Sequence, residues 1–469
     1  MPVTDWLTRT DERRPALRFD DRLCRIGALR RRVTGVARRV AALPDERPVL
    51  TVDVANRMGA MELLLGIWLG GGVAVLLDSA WPAAVRERAI AGLGAGLGGD
   101  VRSAEELPHL RPARLPTVAD DDPFLIGFTS GTTGVPCAWR RSHASWTSAF
   151  GPARQAFGIC PESRVLAPGS IAATLTLFPV LAALDCGAEA ALLRRFDARE
   201  CLDQATRMSA THLFVVPTMA RRLAEAADEP LPSVRAVVSA GAKLCPTQRE
   251  PLARAFPNAE VIEYYGASEL GFVSLSRPSD GAPSDSVGRP FPGVEAAVFR
   301  DDGVRAPAGE TGEVRIRSAG MCDGYVGGGR PGGFRVDADG WATVGDFGHF
   351  DAQGFLHLDG RAGEKIITGG INVWPGEVEA AVKAVDDVAD AIAFGLPDTE
   401  WGEVVCAAVT WRDGRALDRA ALRDACAVRL PRTKCPRRFF VLDSVPLTGA
   451  DKMARAALRE SVDRMREIG

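Results

Sequence analysis

The chain has 469 residues, 46% hydrophobic and 25% charged, with 57 basic and 60 acidic side chains for a formal net charge of −3. That length suggests two to four structural units around a large core and excludes a disordered tail or a mini-protein. The balanced charge leaves no surplus of cations for a phosphate backbone, which argues against a nucleic-acid partner and for a small-molecule enzyme.

Five lysines, Lys243, Lys365, Lys383, Lys434 and Lys452, stand against 52 arginines, a coding bias that places Arg wherever a generic cation suffices. A surviving lysine is mildly informative. Ten cysteines without a C-x-x-C pair and five histidines without H-E-x-x-H assemble neither a disulfide framework nor a zinc site. Reduced thiols in a cytoplasm are the expectation. The start MPVTDWLTRTDERRP carries acids and no apolar stretch, unlike a signal peptide. The most apolar run, 63–77, is shorter than the roughly 18 to 20 residues of a bilayer span and contains Gly66, Gly70, Gly71 and Gly72. It reads as buried helix, glycine turn and buried strand, with no membrane span.

In chain order, residues 24–43 carry apolar side chains at helical spacing, and RPVLTVDV follows as a strand. A helix over 58–69, a strand over 72–78 and a helix after Pro82 come next, with GLGAGLGGD at 92–100 as a loop. The rhythm continues: SRVLAP, a helix near 173–186, AEAALL, a helix over 198–207, THLFVVP, a helix to about 227, VRAVVSAG, a helix, and AEVIEYYG. Alternating strand and helix predicts a mostly parallel sheet covered on both faces. After about 287, alternating residues and glycine turns predict β-hairpins, with GYVGGGRPGG at 324–333 as a loop. Beyond Gly360 a compact α+β pattern returns: a helix from Pro375, strands at ADAIAFG and EVVCAAVT, a helix over 417–429, and RRFFVLD. No internal repeat is visible. The fold class is α/β, a large core of mostly parallel sheets with a β-rich subdomain over 1–360 and a small α+β C-terminal domain over 365–469.

Four segments carry chemistry. The strand PFLIGF runs into Thr129, Ser130, Gly131, Thr132, Thr133 and Gly134, whose N–H and O–H groups can wrap an anion, or form a plain surface turn. It is not a Walker loop. Glu263, Tyr264, Tyr265, Gly266, Ala267, Ser268 and Glu269 end a buried strand, where ligands of open α/β sheets sit. An aromatic, a hydroxyl and a carboxylate there suit a base, a phosphate and Mg²⁺, although Glu269 taken singly reads as a solvated acid rather than a metal ligand. Asp346, after Val344 and Gly345, and Arg361, after Gly360, place an acid where it could accept from a ribose or close a hairpin. Lys452 lies in PLTGADK before the last helix.

In this order the segments resemble the AMP-forming adenylating superfamily of acyl-CoA and aryl-CoA ligases, peptide-synthetase adenylation domains and luciferases. The signature T-S-G-T-T-G-x-P-K is matched by Thr129 to Cys137, Y-G-x-[ST]-E by Tyr265 to Glu269, and T-G-D by Val344 to Asp346. Gly360 to Glu379 match G-R-x-x-[DE]-x-I-I-x-G-G-x-N-V-x-P-x-E-V-E, and weaker matches extend over nearly the whole chain. The resemblance implies that ATP and an acid form an acyl-adenylate with loss of pyrophosphate, and that CoA, or a carrier protein's phosphopantetheine thiol, then takes the acyl group. It places Thr129 to Gly134 on the pyrophosphate, Gly241 and Tyr265 on either side of adenine, Ala242, Glu263, Tyr264 and Gly266 among the cofactor-binding residues, and Ser268 at the α-phosphate. Glu269 falls on Mg²⁺, Asp346 and Arg361 on ribose, and Lys452 between acyl carboxylate and α-phosphate. It also implies a hinge over 361–364, centred on Gly363, about which the C-terminal domain rotates, with the Gly369-Gly370 turn and Ile371 facing the pantetheine arm.

Two departures stand out. The signature lysine is Cys137, leaving three readings: compensation by Arg140 or Arg141, slowed adenylation, or an inactive ligand-binding chain. The stretch 168–174 has only small residues where relatives carry a His or aromatic gate. An acyl pocket is expected from 168–178, Val216 to Thr218, Ser239 to Ala242 and Tyr264 to Phe272, suited to an aromatic or medium acyl acid. Activation of nitrite for diazotisation is a further alternative.

Overall fold

A computed structural model describes residues 1–20, 22–97, 101–103, 114–129, 137–244, 246–328, 333–361, 364–369, 371–412, 417–443, 458–459 and 461–469. Contacts divide the chain into two compact units, 1–296 with 315–344, and 297–314 with 345–469. Residues 297–314 and 345–360, expected in the N-terminal core, therefore group with the C-terminal part. The hairpin Asp346–Phe350 and Leu356–Arg361 pairs with Gly312 and Glu313 on one side, and Phe347 packs on Trp374 at 4.9 Å between rings.

Among the described residues, two sheets lie wholly within the first unit. In one, six parallel strands run in the order Glu260–Ala267, Ala236–Ala240, His212–Val215, Arg164–Leu166, Glu189–Leu192, Pro15–Phe19. Antiparallel strands close its edges, Gly271–Ser276 and Arg289–Pro290 at one end and Arg22–Arg25 at the other. In the second sheet, Pro123–Thr129, Val73–Asp78, Val49–Val54 and Val101–Ser103 are parallel, and Cys137–Ser142 folds back antiparallel on Pro123–Thr129. The strands are short apolar runs because helices cover them and both faces are buried. The helix Met58–Leu69 lies against Ile26–Val40 at its glycines: a Cβ at Gly66 would stand 2.4 Å from the Val36 Cβ. Glycine there buys the close approach of two helix backbones.

Two loop expectations are corrected. The helix that follows Pro82 runs over Ala83–Leu97, through most of the glycine-rich stretch, because buried Leu93 anchors it against a cost of about 1 kcal/mol per glycine. Gly324–Val326, expected in a loop, is an edge strand paired with Ala138, Trp139 and Arg140.

The second unit contains the hairpin named above and a mixed sheet of Ile371–Val373, Ile366–Thr368, Gly402–Trp411, Arg438–Val441 and Arg466–Glu467, with Val388–Asp398 also paired to Gly402–Trp411. The helices Pro375–Lys383 and Arg419–Ala427 pack on it. Among the described residues no helix is long and apolar enough to cross a membrane.

Two buried histidines of the first unit make its stability sensitive to acid. The Val3 N–H donates to His143 Nδ1 (3.2 Å), and the ring stacks on Phe124. The His212 ring bonds Thr211 Oγ1 and the Phe157 carbonyl. Burial pushes both imidazoles down to about 4. The folded chain thus favours neutral rings, while the unfolded chain protonates near the ordinary value of about 6.5. Stability from this source is full above pH 6.5 and is lost as pH falls through 6.5 toward 4, about 3 kcal/mol for each ring. Urea midpoints measured over that window should fall steeply in the wild type, and the double variant His143→Gln/His212→Gln should flatten much of the slope.

Candidate active site

The strand Glu260–Ala267 delivers its C-terminal end and the following turn to the carboxyl edge of the parallel sheet. A bulge between Tyr265 and Gly266 twists the strand there. Gly266 is required by close contact: a Cβ would lie 2.3 Å from the Gly271 carbonyl oxygen across the hairpin.

Glu269 is buried, 3% exposed. Its Oε1 accepts from the Tyr325 hydroxyl (2.8 Å) and from Thr129 Oγ1 (3.3 Å). Thr129 closes the strand Pro123–Thr129, and Tyr325 sits on the edge strand Gly324–Val326, so the second sheet supplies both donors for a carboxylate carried by the first. The Tyr325 oxygen in turn accepts from the Phe334 N–H (3.2 Å). Among the described residues both hydrogen bonds to the carboxylate fall on Oε1. A hard cation with few protein ligands fits that arrangement, since Mg²⁺ usually takes one or two carboxylates and completes its shell with phosphate oxygens and water. No cluster of three or more His, Cys, Asp or Glu that could hold a metal by itself occurs among the described residues.

Beneath the same turn lies Arg141, 3% exposed. Its Nη2 and Nε donate to the Ser268 carbonyl at 2.8 and 3.3 Å, and its Nη1 donates to the carbonyls of Gly320 (2.6 Å) and Ser145 (3.3 Å). Burial lowers its pKa, opposed by the fields of Cys322, Asp323 and Glu269. The expected compensation for Cys137 is thereby narrowed: Arg141 is engaged with backbone, and Arg140, half exposed and 3.8 Å from Asp323, is the arginine of the pair that reaches solvent.

Glu263, expected at the nucleotide, bonds the loop that leaves the neighbouring strand Ala236–Ala240. Its buried carboxylate accepts from the Leu244 N–H (2.8 Å), is hydrogen-bonded by Arg249, and lies 3.4 Å from Lys243 Nζ. It thereby pins the loop of Gly241 and Ala242, both exposed, to the sheet edge; Gly241 has φ of 93°. Lys243, whose pKa burial lowers and Glu263 raises, also donates to the Ser286 carbonyl. Tyr264 points into an aromatic cluster, 4.8 Å from Phe272 and 5.8 Å from Phe157, and burial raises its hydroxyl pKa. Phe272 stacks on Phe291 and meets Phe178 edge-on. The small-residue stretch is held by Asn56, whose Nδ2 donates to the Gly169 carbonyl and whose Oδ1 accepts from the Ile171 N–H.

In the second unit, Arg361 Nε donates to Asp346 Oδ1 (2.6 Å), and the two residues are register partners across the hairpin. Ser130 to Gly134, Gly363, Gly370 and Lys452 lie outside the described residues. Sequence reading missed Tyr325, Arg141 as a prop for the turn, and Asn56; only the position of Tyr325 just ahead of a glycine-rich run could have marked it.

An α/β core with such a turn at its strand ends is the architecture of adenylate-forming enzymes. Residues 97–326 match the AMP-binding enzyme family and 377–452 its C-terminal domain. The uncharacterized acyl-CoA ligase YhfT of Bacillus subtilis is 35% identical over 74% of this chain and 70% of its own length. The indoleacetate-CoA ligase of Aromatoleum aromaticum is 31% identical over 77% and 71%. Among solved structures, o-succinylbenzoate CoA synthetase of Bacillus subtilis, in complex with its acyl-adenylate intermediate, shares the fold with a TM-score of 0.85 at 24% identity over 98% of each chain. The amide bond synthetase McbA of Marinactinospora thermotolerans has a TM-score of 0.83 at 27% identity, over 98% of this chain and 100% of its own. The chain belongs to the AMP-binding enzyme family, and it is an AMP-forming ligase.

Replacing Tyr325 by Phe removes a hydrogen bond to a carboxylate, an interaction of about 1.5 to 3 kcal/mol. The half-saturating concentration of Mg²⁺-ATP in a pyrophosphate-release assay should rise roughly tenfold or more in Tyr325→Phe, with the fold retained by circular dichroism.

Proposed function

We propose that this chain activates a carboxylic acid, aromatic or of medium acyl length, as its acyl-adenylate and transfers the acyl group to CoA. The acid's oxygen attacks the α-phosphorus of ATP and pyrophosphate leaves; the CoA sulfur then attacks the acyl carbon and AMP leaves. The observation that carries this reading is the buried Glu269 carboxylate, held at the sheet's carboxyl edge by Thr129 at the mouth of the hydroxyl-rich loop. Mg²⁺ bound there would neutralise charge on the phosphates. Ser268 stands beside it for the α-phosphate, and the loop of Thr129 to Gly134 supplies N–H and O–H donors for the leaving pyrophosphate. The Asp346 carboxylate, oriented by Arg361, accepts from ribose hydroxyls. Lys452 bridges the two reacting anions. The first step then rests on positioning and electrostatics, with no covalent enzyme intermediate.

The small residues of 168–174, with Tyr264 and Phe272, support a flat or apolar acid, since aromatic faces favour offset and edge-on partners. The likeness to an amide bond synthetase supports a second reading, in which the adenylate passes to an amine or a carrier-protein thiol.

A panel of acids assayed for ATP-dependent pyrophosphate, with hydroxylamine trapping and mass spectrometry with and without CoA, should yield AMP and a CoA thioester. Adenylate without thioester, consumed by an amine or carrier, would select the second reading. Nitrite-dependent AMP formation with an aryl amine, or no turnover with any acid, would overturn the proposal. Lys452→Ala should slow pyrophosphate release about a hundredfold, the effect of about 3 kcal/mol on the barrier. In the same assay a large gain in Cys137→Lys would mean that Arg140 does not replace the missing lysine.

A further inference from the structure

The hairpin that carries the hydroxyl-rich loop grips the Ser268–Glu269 turn twice. From its first strand Thr129 reaches the carboxylate; from its second strand Arg141, in register with Leu125, reaches the Ser268 carbonyl through two of its nitrogens. The guanidinium also ties in the Gly320 carbonyl, and two residues further on the Cys322 N–H donates to the Glu269 carbonyl (2.7 Å). The turn is thus clamped on both sides of the Ser268–Glu269 peptide. Because the C=O and the following N–H of a trans peptide point opposite ways, fixing the Ser268 oxygen also fixes the direction of the Glu269 N–H.

A core-filling role does not explain this residue. A guanidinium buried among the rings of Trp139 and Trp146, at 5.9 and 5.5 Å, costs desolvation that an apolar side chain would avoid. Among the described residues it has backbone carbonyls, not a carboxylate, as hydrogen-bond partners. What it gains is geometric: three segments are fixed at one point, directly behind the acid.

Resting on the adenylation reading above, we propose that Arg141 is a positioning residue for the metal–nucleotide site: it holds the Ser268 carbonyl so that the Glu269 carboxylate meets Thr129 and Tyr325 and is presented to a divalent cation. Residues that orient a metal ligand from behind typically contribute about 10- to 100-fold in metal affinity or activity.

The test is the Mg²⁺ dependence of acid-dependent pyrophosphate release, at fixed ATP, for wild type, Arg141→Lys and Arg141→Met. The half-saturating Mg²⁺ should rise about tenfold or more in Arg141→Met and should be partly restored in Arg141→Lys, while the KM for the acid stays within about threefold. A purely structural arginine would lower the melting temperature and the active fraction and leave the Mg²⁺ half-saturation unchanged. If Arg141→Met does not fold, Arg141→Lys decides, with a rise of about threefold expected. Wild-type turnover with unshifted Mg²⁺ half-saturation in the folded variants overturns this inference alone. Absence of pyrophosphate release by the wild type with every acid overturns the adenylation reading and this inference with it.

Discussion

A carboxylate sealed from water must be met by donors, and at Glu269 the donors come from a different sheet. Tyr325 and Thr129 bond its Oε1 from two strands of the smaller sheet, while the turn that carries it joins two strands of the larger one. Burial makes that meeting obligatory, since an unpaired buried acid costs several kcal/mol. The two sheets of the first unit are therefore registered to one another at the site as well as in the core.

The missing loop lysine acquires a different meaning in this setting. The cation nearest in sequence to Cys137 that is fully buried, Arg141, is turned inward to three carbonyls. Of the two arginines that follow on the hairpin, Arg141 lies behind the turn and Arg140 reaches solvent. The aromatic cluster that begins at Tyr264 occupies the face of the same strand opposite Tyr265, because successive side chains of a strand alternate. One strand thus presents a ring to the apolar side and another toward the edge where the nucleotide is proposed to bind.

The second unit follows the same logic of local pairing. Asp346 and Arg361 are register partners on a two-stranded hairpin, so their ion pair is set by strand geometry. A little further on, Glu377 accepts from the Trp374 N–H at the start of its helix, and Lys434 Nζ lies 2.9 Å from both of its oxygens. Lysines are scarce here, and both Lys434 and Lys243 make specific bonds to acids, in keeping with a lysine retained where its shape matters.

By itself the sequence determined the α/β class, the parallel order of strand and helix, most element positions to within a few residues, and the motifs that mark an adenylating enzyme. Those properties are local: periodicity, turn chemistry and short runs of hydroxyls and glycines are written in neighbouring residues. The sequence misjudged 92–97 and 324–326, where Leu93 found a core and Gly324–Val326 found an edge to pair with, because both partners are remote in the chain. Only the tertiary structure decided that Glu263 pins a loop, that Arg141 props Ser268, that Tyr325 bonds Glu269 and that Asn56 holds 169–171. Each of these is a polar group answering a partner 19 to 127 residues away, and which partner it meets is fixed only when the sheets close over it and exclude water.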